Sequence, residues 1–303
     1  MNRFKGLVFG GGGITGQIDR IISGLEQFGL EINNGDEDID FIFHGNHWYK
    51  EAEPYIDNIK YSRVLKIFNV LDIPVHIKDF NYNKHKELLL KADVITCISE
   101  FVKNQIKLFY GLDAINIGYP IKDLVPATVK TPYRYLSIGR LSDPNKSCYL
   151  GQLALKHAGI PEDQIALIGP EPPPANYGHW FGSVSDQDLC NFYSSAEYLI
   201  APSHIEGLCL PVIESICSGV IPIVFSDMTT RPELLGEIDF YNSIERGYEN
   251  MSKSIKYLEA NKIEKVFVKY QLNSLAKKYA VKYNKLTVAK NIIDIISKSR
   301  KIV

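Results

Sequence analysis

Two carboxylates, Glu206 and Glu214, stand eight positions apart in the chain, with glycine and proline between them. Pro211 suits the first turn of a helix, where the N–H group that proline lacks would have no partner within the helix. Gly219 suits the left-handed position just past the end of a helix. These residues predict a loop that carries Glu206, followed by a helix over 210–218 that carries Glu214.

This predicted loop and helix have the chemistry of a site for a phosphorylated ligand. The N-terminus of a helix offers free N–H groups and a partial positive charge, and both attract phosphate. Carboxylates on either side of that point can accept hydrogen bonds from hydroxyl groups. A nucleotide sugar has a matching layout, because its diphosphate joins two rings that carry hydroxyl groups. Taken alone, the spacing fits two solvated acids on an ordinary surface loop and helix at least as well.

The residues around the two carboxylates resemble the retaining glycosyltransferases of family 4, which have the GT-B fold. The family signature is a Glu, seven residues and a second Glu, with Gly and Leu-Pro inside, reached from Pro-Ser. Here Pro202-Ser203 precedes the first Glu, and Leu210-Pro211 precedes the second. Cys209 departs from the family, which usually has a second glycine at this place. The resemblance extends from about Leu7 to the last helix.

The resemblance implies a role for each charged residue of the motif. Arg140 follows a glycine, and with Lys146 it would bind the donor diphosphate, although the family usually has Lys-Gly where this chain has Lys146-Ser147. Two cations there would neutralise the charge that grows as the sugar–phosphate bond breaks, without a metal ion. Glu206 would orient the sugar, and Glu214 would hold the ribose.

By the same resemblance, the donor-binding residues lie in loops that follow strands and in the first turns of the helix predicted over 210–218. They are Gly12, Gly13, Arg140, Lys146, Ser183, Glu206, Gly207, Leu208, Cys209, Leu210 and Glu214. The catalytic candidates are Glu206, Arg140, Lys146 and His44. His44 follows the strand predicted over 40–43, at the edge where open α/β sheets bind their ligands. A structural role for His44, and for its neighbour His47, stays open.

Strands and helices of an α/β fold must position these residues. Short apolar runs that alternate with amphipathic stretches predict strands separated by helices. We expect a helix over 61–71, a strand over 73–77 and, after a strand over 92–98, a helix capped by Ser99. The glycines of 10–13 follow the first strand, and glycine lets the backbone approach a phosphate. They fit a flexible turn or the loop of a dinucleotide site as well.

The resemblance implies two facing Rossmann-like domains with a cleft between them. We expect an acceptor-side domain over 1–125, and a nucleotide-sugar-binding domain over 126–280. A C-terminal helix over 281–303 would cross back to the first domain. The boundary falls in a segment, 119–132, that contains three prolines and has no clear periodicity.

The composition argues against several other classes of protein. The chain has 303 residues, 45% of them hydrophobic and 23% charged, and a formal net charge of -1, which predicts no global attraction to nucleic acid or to an anionic membrane. No apolar run approaches the roughly 20 residues that span a bilayer. Five cysteines without metal-ligand spacing predict buried, reduced thiols in a cytoplasmic protein. The lysines of the helical segment 252–301 suit a solvated face, or a contact with a polyanion or membrane surface.

The expected activity is the transfer of a sugar from a nucleoside-diphosphate sugar to an acceptor hydroxyl with retention of configuration. The acceptor would be a polysaccharide, a lipid-linked sugar or a hydroxylated base in viral DNA. In the viral case the protein would act in the host cytoplasm. No cofactor, no metal and no stable membrane insertion are expected. A sugar-nucleotide epimerase or hydrolase on the same fold remains an alternative, as does a Rossmann NAD-dependent oxidoreductase built on 10–16.

Overall fold

The computed structural model describes residues 4–9, 15–32, 39–45, 63–73, 80–125, 127–236 and 238–299. Contacts between Cα atoms divide the chain into two compact units. Unit 1 comprises Met1–Ile121 together with Val281–Val303, and unit 2 comprises Lys122–Ala280. Each unit has a parallel sheet with its own core, so each is described by itself.

The described part of unit 1 has a six-stranded parallel sheet, in the order β2-β1-β3-β4-β5-β6. Its strands are β1 (Lys5–Phe9), β2 (Glu31–Ile32), β3 (Phe41–His44), β4 (Leu65–Val70), β5 (Val94–Cys97) and β6 (Ile115–Asn116). The central strands are mainly apolar and largely buried, as is typical of strands covered on both faces.

The helices described in unit 1 are α1 (Thr15–Gln27), α2 (Tyr82–Leu89), α3 (Glu100–Tyr110) and α10 (Lys285–Ser299). Ser99 caps α3, because its hydroxyl oxygen accepts a hydrogen bond from the Val102 N–H at 3.1 Å, which confirms the predicted cap. α10 packs against α1. Gly24 of α1 permits this contact, since a Cβ atom there would lie 2.7 Å from the carbonyl oxygen of Lys285.

The described part of unit 2 has a five-stranded parallel sheet, in the order β11-β10-β7-β8-β9. Its strands are β7 (Tyr135–Ile138), β8 (Ile165–Ile168), β9 (His179–Trp180), β10 (Tyr198–Ile200) and β11 (Ile221–Ile223). β7 and β10 are direct neighbours, with Tyr135 opposite Tyr198 in the register. The loops that leave these two strands therefore start side by side.

Unit 2 has six described helices. They are α4 (Cys148–Ala158), α5 (Asp186–Ser195), α6 (Leu210–Cys217), α7 (Arg231–Leu235), α8 (Tyr248–Ala260) and α9 (Lys262–Lys282), with 3-10 turns at Pro144–Lys146, Glu162–Gln164 and Asp239–Ser243. Of these helices, α6 packs against strands β10 and β11. Among the described residues, none of the helices of either unit is both long enough and apolar enough to cross a bilayer.

One predicted element has the wrong type. The helix expected over 61–71 is instead strand β4, paired with β3 and β5 in the middle of the sheet. Ile67, Phe68 and Val70 are fully buried there, and a short apolar run of this kind has no period that separates a buried strand from a helix. The strand expected over 73–77 lies almost wholly outside the described residues.

Candidate functional site

Two adjacent strands of unit 2 bring a lysine and a glutamate together. The chain leaves β7 into a loop that reaches Lys146, and it leaves β10 into the loop that carries Glu206. Ligands of open parallel sheets bind beyond the carboxyl ends of strands, where these two loops lie. Lys146 and Glu206 are 60 positions apart in the chain, and the pairing of β7 with β10 brings them together.

Lys146 and Glu206 form a nearly buried ion pair. The Lys146 Nζ atom lies 2.6 Å from Glu206 Oε1, and the two side chains are 21% and 9% exposed. Burial alone would lower the pKa of Lys146, but the Glu206 carboxylate outweighs it and raises that pKa overall. The lysine therefore keeps its positive charge in a place that water reaches poorly, where a charge interacts strongly with a ligand.

A pocket opens beside this ion pair. It is a small recess that is partly open to solvent. Polar and sulfur-bearing side chains of its wall belong to Ser137, Lys146, Cys148, Ser203, Glu206 and Cys209. Burial raises the pKa of both thiols, and Glu206 raises that of Cys209 further. The thiols stay protonated at neutral pH, so the charge of this wall comes from Lys146 and Glu206.

Asn145 ties the turn that carries Lys146 to the loop that carries Glu206. Its side-chain Oδ1 accepts a hydrogen bond from the Ile205 N–H at 3.1 Å, and its Nδ2 donates to the Ile205 carbonyl oxygen at 2.5 Å. The His204 N–H also donates to the backbone carbonyl of Asn145, at 3.1 Å. Three hydrogen bonds therefore fix the position of one loop relative to the other.

Thr229 holds the backbone of Glu206 from the other side. The Glu206 N–H donates to Thr229 Oγ1 at 2.8 Å, and the same hydroxyl donates to the Glu206 carbonyl oxygen at 3.0 Å. Asn145 and Thr229 hold the backbone of this loop from two sides, and Lys146 holds the Glu206 carboxylate. Backbone and side-chain contacts together therefore fix the direction of the carboxylate. Sequence reasoning missed both residues, since a single Asn or Thr in a polar loop carries no sign of a partner far along the chain.

Arg246 anchors the base of the same loop. Its guanidinium forms two hydrogen bonds of 2.7 Å to the Asp227 carboxylate, and it donates to the carbonyl oxygens of Pro202 and Ser203 at 3.4 Å. Partial burial would raise the pKa of Asp227, but Arg246 lowers it overall. The guanidinium also lies 4.6 Å from the centre of the Phe225 ring, so packing and charge both fix its position.

Arg140 lies at the surface rather than in the pocket wall. Its side chain is 64% exposed, and its Nη2 atom lies 2.7 Å from Asp143 Oδ2. Exposed ion pairs contribute little free energy, so Arg140 can exchange Asp143 for another anion at small cost. Its proposed contact with a diphosphate stays a prediction.

Glu214 occupies a different environment from Glu206. It is buried in α6, where its Oε1 atom accepts a hydrogen bond from the Lys122 N–H and its Oε2 atom accepts one from the Tyr193 hydroxyl, both at 3.3 Å. Burial raises the pKa of Tyr193, and Glu214 raises it further. The hydroxyl therefore stays a donor, and the ribose-binding role of Glu214 stays a prediction.

The other candidate residues fall into three groups. Gly207, Leu208, Cys209 and Leu210 connect the Glu206 loop to α6, with Leu208 and Cys209 buried and the other two half-buried. Ser183 is exposed in the connection between β9 and α5. Gly12, Gly13 and His47 lie outside the described residues.

His44 belongs to unit 1 and is fully buried at the end of β3. In the sheet register it stands between Phe9 of β1 and Phe68 of β4, and its ring lies 6.4 Å and 6.1 Å from theirs. It packs as a core side chain, and its catalytic role stays a prediction. Among the described residues of both units, no three His, Cys, Asp or Glu side chains group as metal ligands would.

The two parallel-sheet units define the GT-B fold, and solved structures share it. Sucrose-phosphate synthase from Thermosynechococcus elongatus matches with a TM-score of 0.73 at 13% identity, over 100% of both chains. Anabaena HepE, solved with UDP and glucose, gives 0.72 at 11% identity, over 98% of this chain and 100% of its own. WaaG, a glycosyltransferase of lipopolysaccharide biosynthesis, gives 0.66 at 13% identity, over 97% and 99%.

Sequence comparison adds a chemical class to this fold. Residues 175–284 match the family described as glycosyl transferases group 1. The O-antigen chain mannosyltransferase B of Escherichia coli is 40% identical over 58 residues, which are 19% of this chain and 15% of that protein. The matched segment thus spans a small part of this relative. Together, the family match and the shared fold support an enzyme of the glycosyltransferase class.

Proposed function

We propose that the protein transfers a sugar from a nucleoside-diphosphate sugar to an acceptor hydroxyl, with retention of anomeric configuration. The observation that carries this proposal is the ion pair of Lys146 with Glu206 in the pocket beyond β7 and β10. A nearly buried cation suits a phosphate, and a carboxylate beside it suits the hydroxyl groups of a sugar. Glu206 also lies within the segment that matches the glycosyl transferases group 1 family.

In this proposal, Lys146 and Arg140 bind the diphosphate and stabilise the charge that it gains as it leaves. The bond between the anomeric carbon and the phosphate oxygen breaks, and a bond to the acceptor oxygen forms on the same face of the sugar. The acceptor proton passes to the leaving phosphate, so the step needs no protein nucleophile. Glu206 orients the sugar and Glu214 holds the ribose. The cations take the place that a metal ion has in other transferases, so we propose that none is required.

The names of similar proteins suggest which donors to test first. HepE is solved with UDP and glucose, the pneumococcal GtfA with UDP and GlcNAc, and the Escherichia coli relative is a mannosyltransferase of the O-antigen chain. We therefore propose a UDP- or GDP-linked hexose as donor and a polysaccharide or lipid-linked sugar as acceptor. A hydroxylated DNA base is the second acceptor to test. The five free cysteines suit a reducing, cytoplasmic setting.

The test combines a thermal-shift screen with turnover. The purified protein is incubated with UDP-, GDP- and ADP-linked sugars, each with and without candidate acceptors. Every combination is measured in the presence and in the absence of EDTA. We expect one nucleotide to raise Tm, and the matching sugar to be transferred with its anomeric configuration retained, whether EDTA is present or absent. Donor turnover without any acceptor would favour an epimerase or hydrolase. Saturable binding of NAD without a response to nucleotide sugars would overturn the proposal.

The Arg140→Ala variant tests the role of the cations. If Arg140 stabilises the leaving diphosphate, kcat falls by roughly 10²-fold or more. Lys107→Ala is the matched control, because it removes another exposed cation paired with a carboxylate, in α3 of unit 1. If the two variants have the same kcat, Arg140 does not take part in the mechanism.

A further inference from the structure

Helix α9 is firmly attached to unit 2 along one face. It has 21 residues, a length of about 31 Å. Three of its own residues, Val268, Leu272 and Tyr279, are buried. The Tyr279 hydroxyl donates a hydrogen bond of 2.6 Å to the Leu234 carbonyl oxygen. Lys265 pairs with Glu197 on the same side. These contacts fix the rotation of the helix, so the identity of its outward face is determined.

The outward face begins with a stripe of large apolar side chains. Ile263, Val266, Phe267 and Tyr270 are 88%, 68%, 54% and 75% exposed. Steps of three and four residues place them next to one another along one line of the helix. A single exposed apolar residue is normal on a protein surface, but a contiguous set of them marks an interaction site.

The charges of α9 near this stripe are mainly positive. α9 contains six lysines and one glutamate, Glu264, which is half-buried to one side of the stripe. Lys262 precedes the stripe, while Lys277 and Lys278 continue its face towards the C-terminal end, and all three are exposed. The outward face of α9 therefore combines apolar and aromatic side chains with positive charge, and it carries no exposed carboxylate.

We propose that this face of α9 docks the protein on the surface of an anionic lipid bilayer. An interfacial helix inserts an apolar stripe at the level of the head groups while its lysines meet acidic lipids. Tyr and Lys suit that depth, because each has an apolar body and a polar tip. A second copy of this chain fits less well, since two such faces would set lysine against lysine with no carboxylate between them.

The test is co-sedimentation of the full chain with vesicles of phosphatidylcholine, with and without phosphatidylglycerol. We expect binding that needs phosphatidylglycerol and weakens with salt. The I263S/F267S variant keeps every charge and should partition at least about tenfold more weakly. The K277Q/K278Q variant keeps the stripe and should lose the preference for phosphatidylglycerol.

Leu108→Ser is the matched control, because Leu108 is an 80% exposed leucine on α3 in unit 1, far from α9 in sequence. The Leu108→Ser variant should bind vesicles as strongly as the wild-type protein does. Failure of the unchanged protein to sediment with phosphatidylglycerol vesicles at low salt would overturn the proposal. So would a dimer in solution that I263S/F267S dissociates, since the stripe would then be covered by a second copy. The assay needs no sugar donor, so its result is independent of the proposed activity.

Discussion

The pairing of Lys146 with Glu206 sets the energetics of the pocket at the scale of single residues. Both groups are largely removed from water, and each charge is compensated mainly by the other, at 2.6 Å. Removing one partner from a buried pair is far more costly than removing both, because a lone charge stays behind in a poor solvent. In the proposed function, the donor diphosphate shares Lys146 with Glu206.

We predict that Lys146→Met destabilises the protein by about 3–5 kcal/mol, because Glu206 keeps a buried charge without its cation. The double variant Lys146→Met with Glu206→Gln should be the more stable of the two, since no charge is stranded. Urea unfolding of the single and double variants measures this coupling. Costs that simply add would contradict the prediction.

Lys107→Met is the control for this comparison of single and double variants. Lys107 pairs with Asp113 at 2.9 Å, but the two side chains are 60% and 91% exposed. Water compensates the remaining charge there, so we expect this substitution to change the free energy of unfolding by less than about 1 kcal/mol.

Elements of unit 2 are joined by a second set of charges, away from the pocket. Arg134, just before β7, pairs with Glu197, just before β10, and with Glu259 of α8. Lys265 of α9 pairs with Glu197 as well. Burial would raise the pKa of Glu197, but Arg134 and Lys265 together lower it to about 2. The starts of two strands and two helices are thus joined by one cluster of charges, in which Glu197 pairs with both Arg134 and Lys265.

This depressed pKa predicts how stability depends on pH. A Glu has a pKa of about 4.3 in an unfolded chain, so the unfolded protein binds the proton more readily and Glu197 stabilises the fold above that pH. The stabilisation is lost as the pH falls from about 4.3 towards 2. We expect Tm to fall in this window and Glu197→Gln to flatten the fall, measured by thermal melts across pH. An equally steep fall in the variant would assign it to other carboxylates.

The loop that carries Glu206 gives a prediction about position rather than charge. Thr229→Val removes the hydroxyl that bonds to both backbone groups of Glu206 but keeps the volume of the side chain. If Glu206 orients the sugar, this variant should lower kcat by about tenfold or more with little change in the affinity for the free nucleoside diphosphate. Turnover assays and nucleotide titrations separate the two effects.

Thr229→Ser should restore most of the rate, because it keeps the hydroxyl. The control is Thr128→Val, in which a threonine hydroxyl bonded to Asn191 elsewhere in unit 2 is lost. If Thr229→Val lowers nucleotide affinity and kcat to the same degree, Thr229 is a structural residue and does not position Glu206.

Local signals predict elements well in this chain, while contacts between distant segments leave no signal. The Ser99 cap and the helix after it follow from residues next to one another, and the structure has them. β4 could not be told from a helix, because its burial depends on β3 and β5 on either side. Within the site, the resemblance named Lys146 and Glu206, but Asn145 and Thr229 emerge from hydrogen bonds between segments 60 and 23 residues apart.

At the scale of the whole molecule, unit 1 is assembled from two separate pieces of chain. The contact of α1 with α10 joins them, and Gly24 makes it close enough. We predict that Gly24→Ala lowers the free energy of unfolding by about 1–3 kcal/mol, because the new methyl group would meet the backbone of Lys285. Urea or thermal unfolding of unit 1 measures the change.

Gly16→Ala in the same helix is the matched control. The Cβ atom added there would meet only the flexible end of Arg20, at 3.6 Å, and alanine is the better helix former. We expect Gly16→Ala to leave stability unchanged or slightly higher. Equal losses in both variants would show that the tight packing of α1 on α10 is not the cause.

The two-piece composition of unit 1 also sets an order of events during synthesis. Unit 2 is one continuous segment, Lys122–Ala280, so all of its strands and nearly all of its last helix are synthesised before α10. The sheet of unit 1 is synthesised first, yet it must wait for a helix more than 160 residues downstream of β6 to cover α1. During that wait α1 exposes the apolar surface that α10 later buries. The nascent chain is therefore most open to chaperones, proteases and aggregation in its earliest-made part, and a chain that stopped between α9 and α10 would have a finished second unit and an unfinished first one.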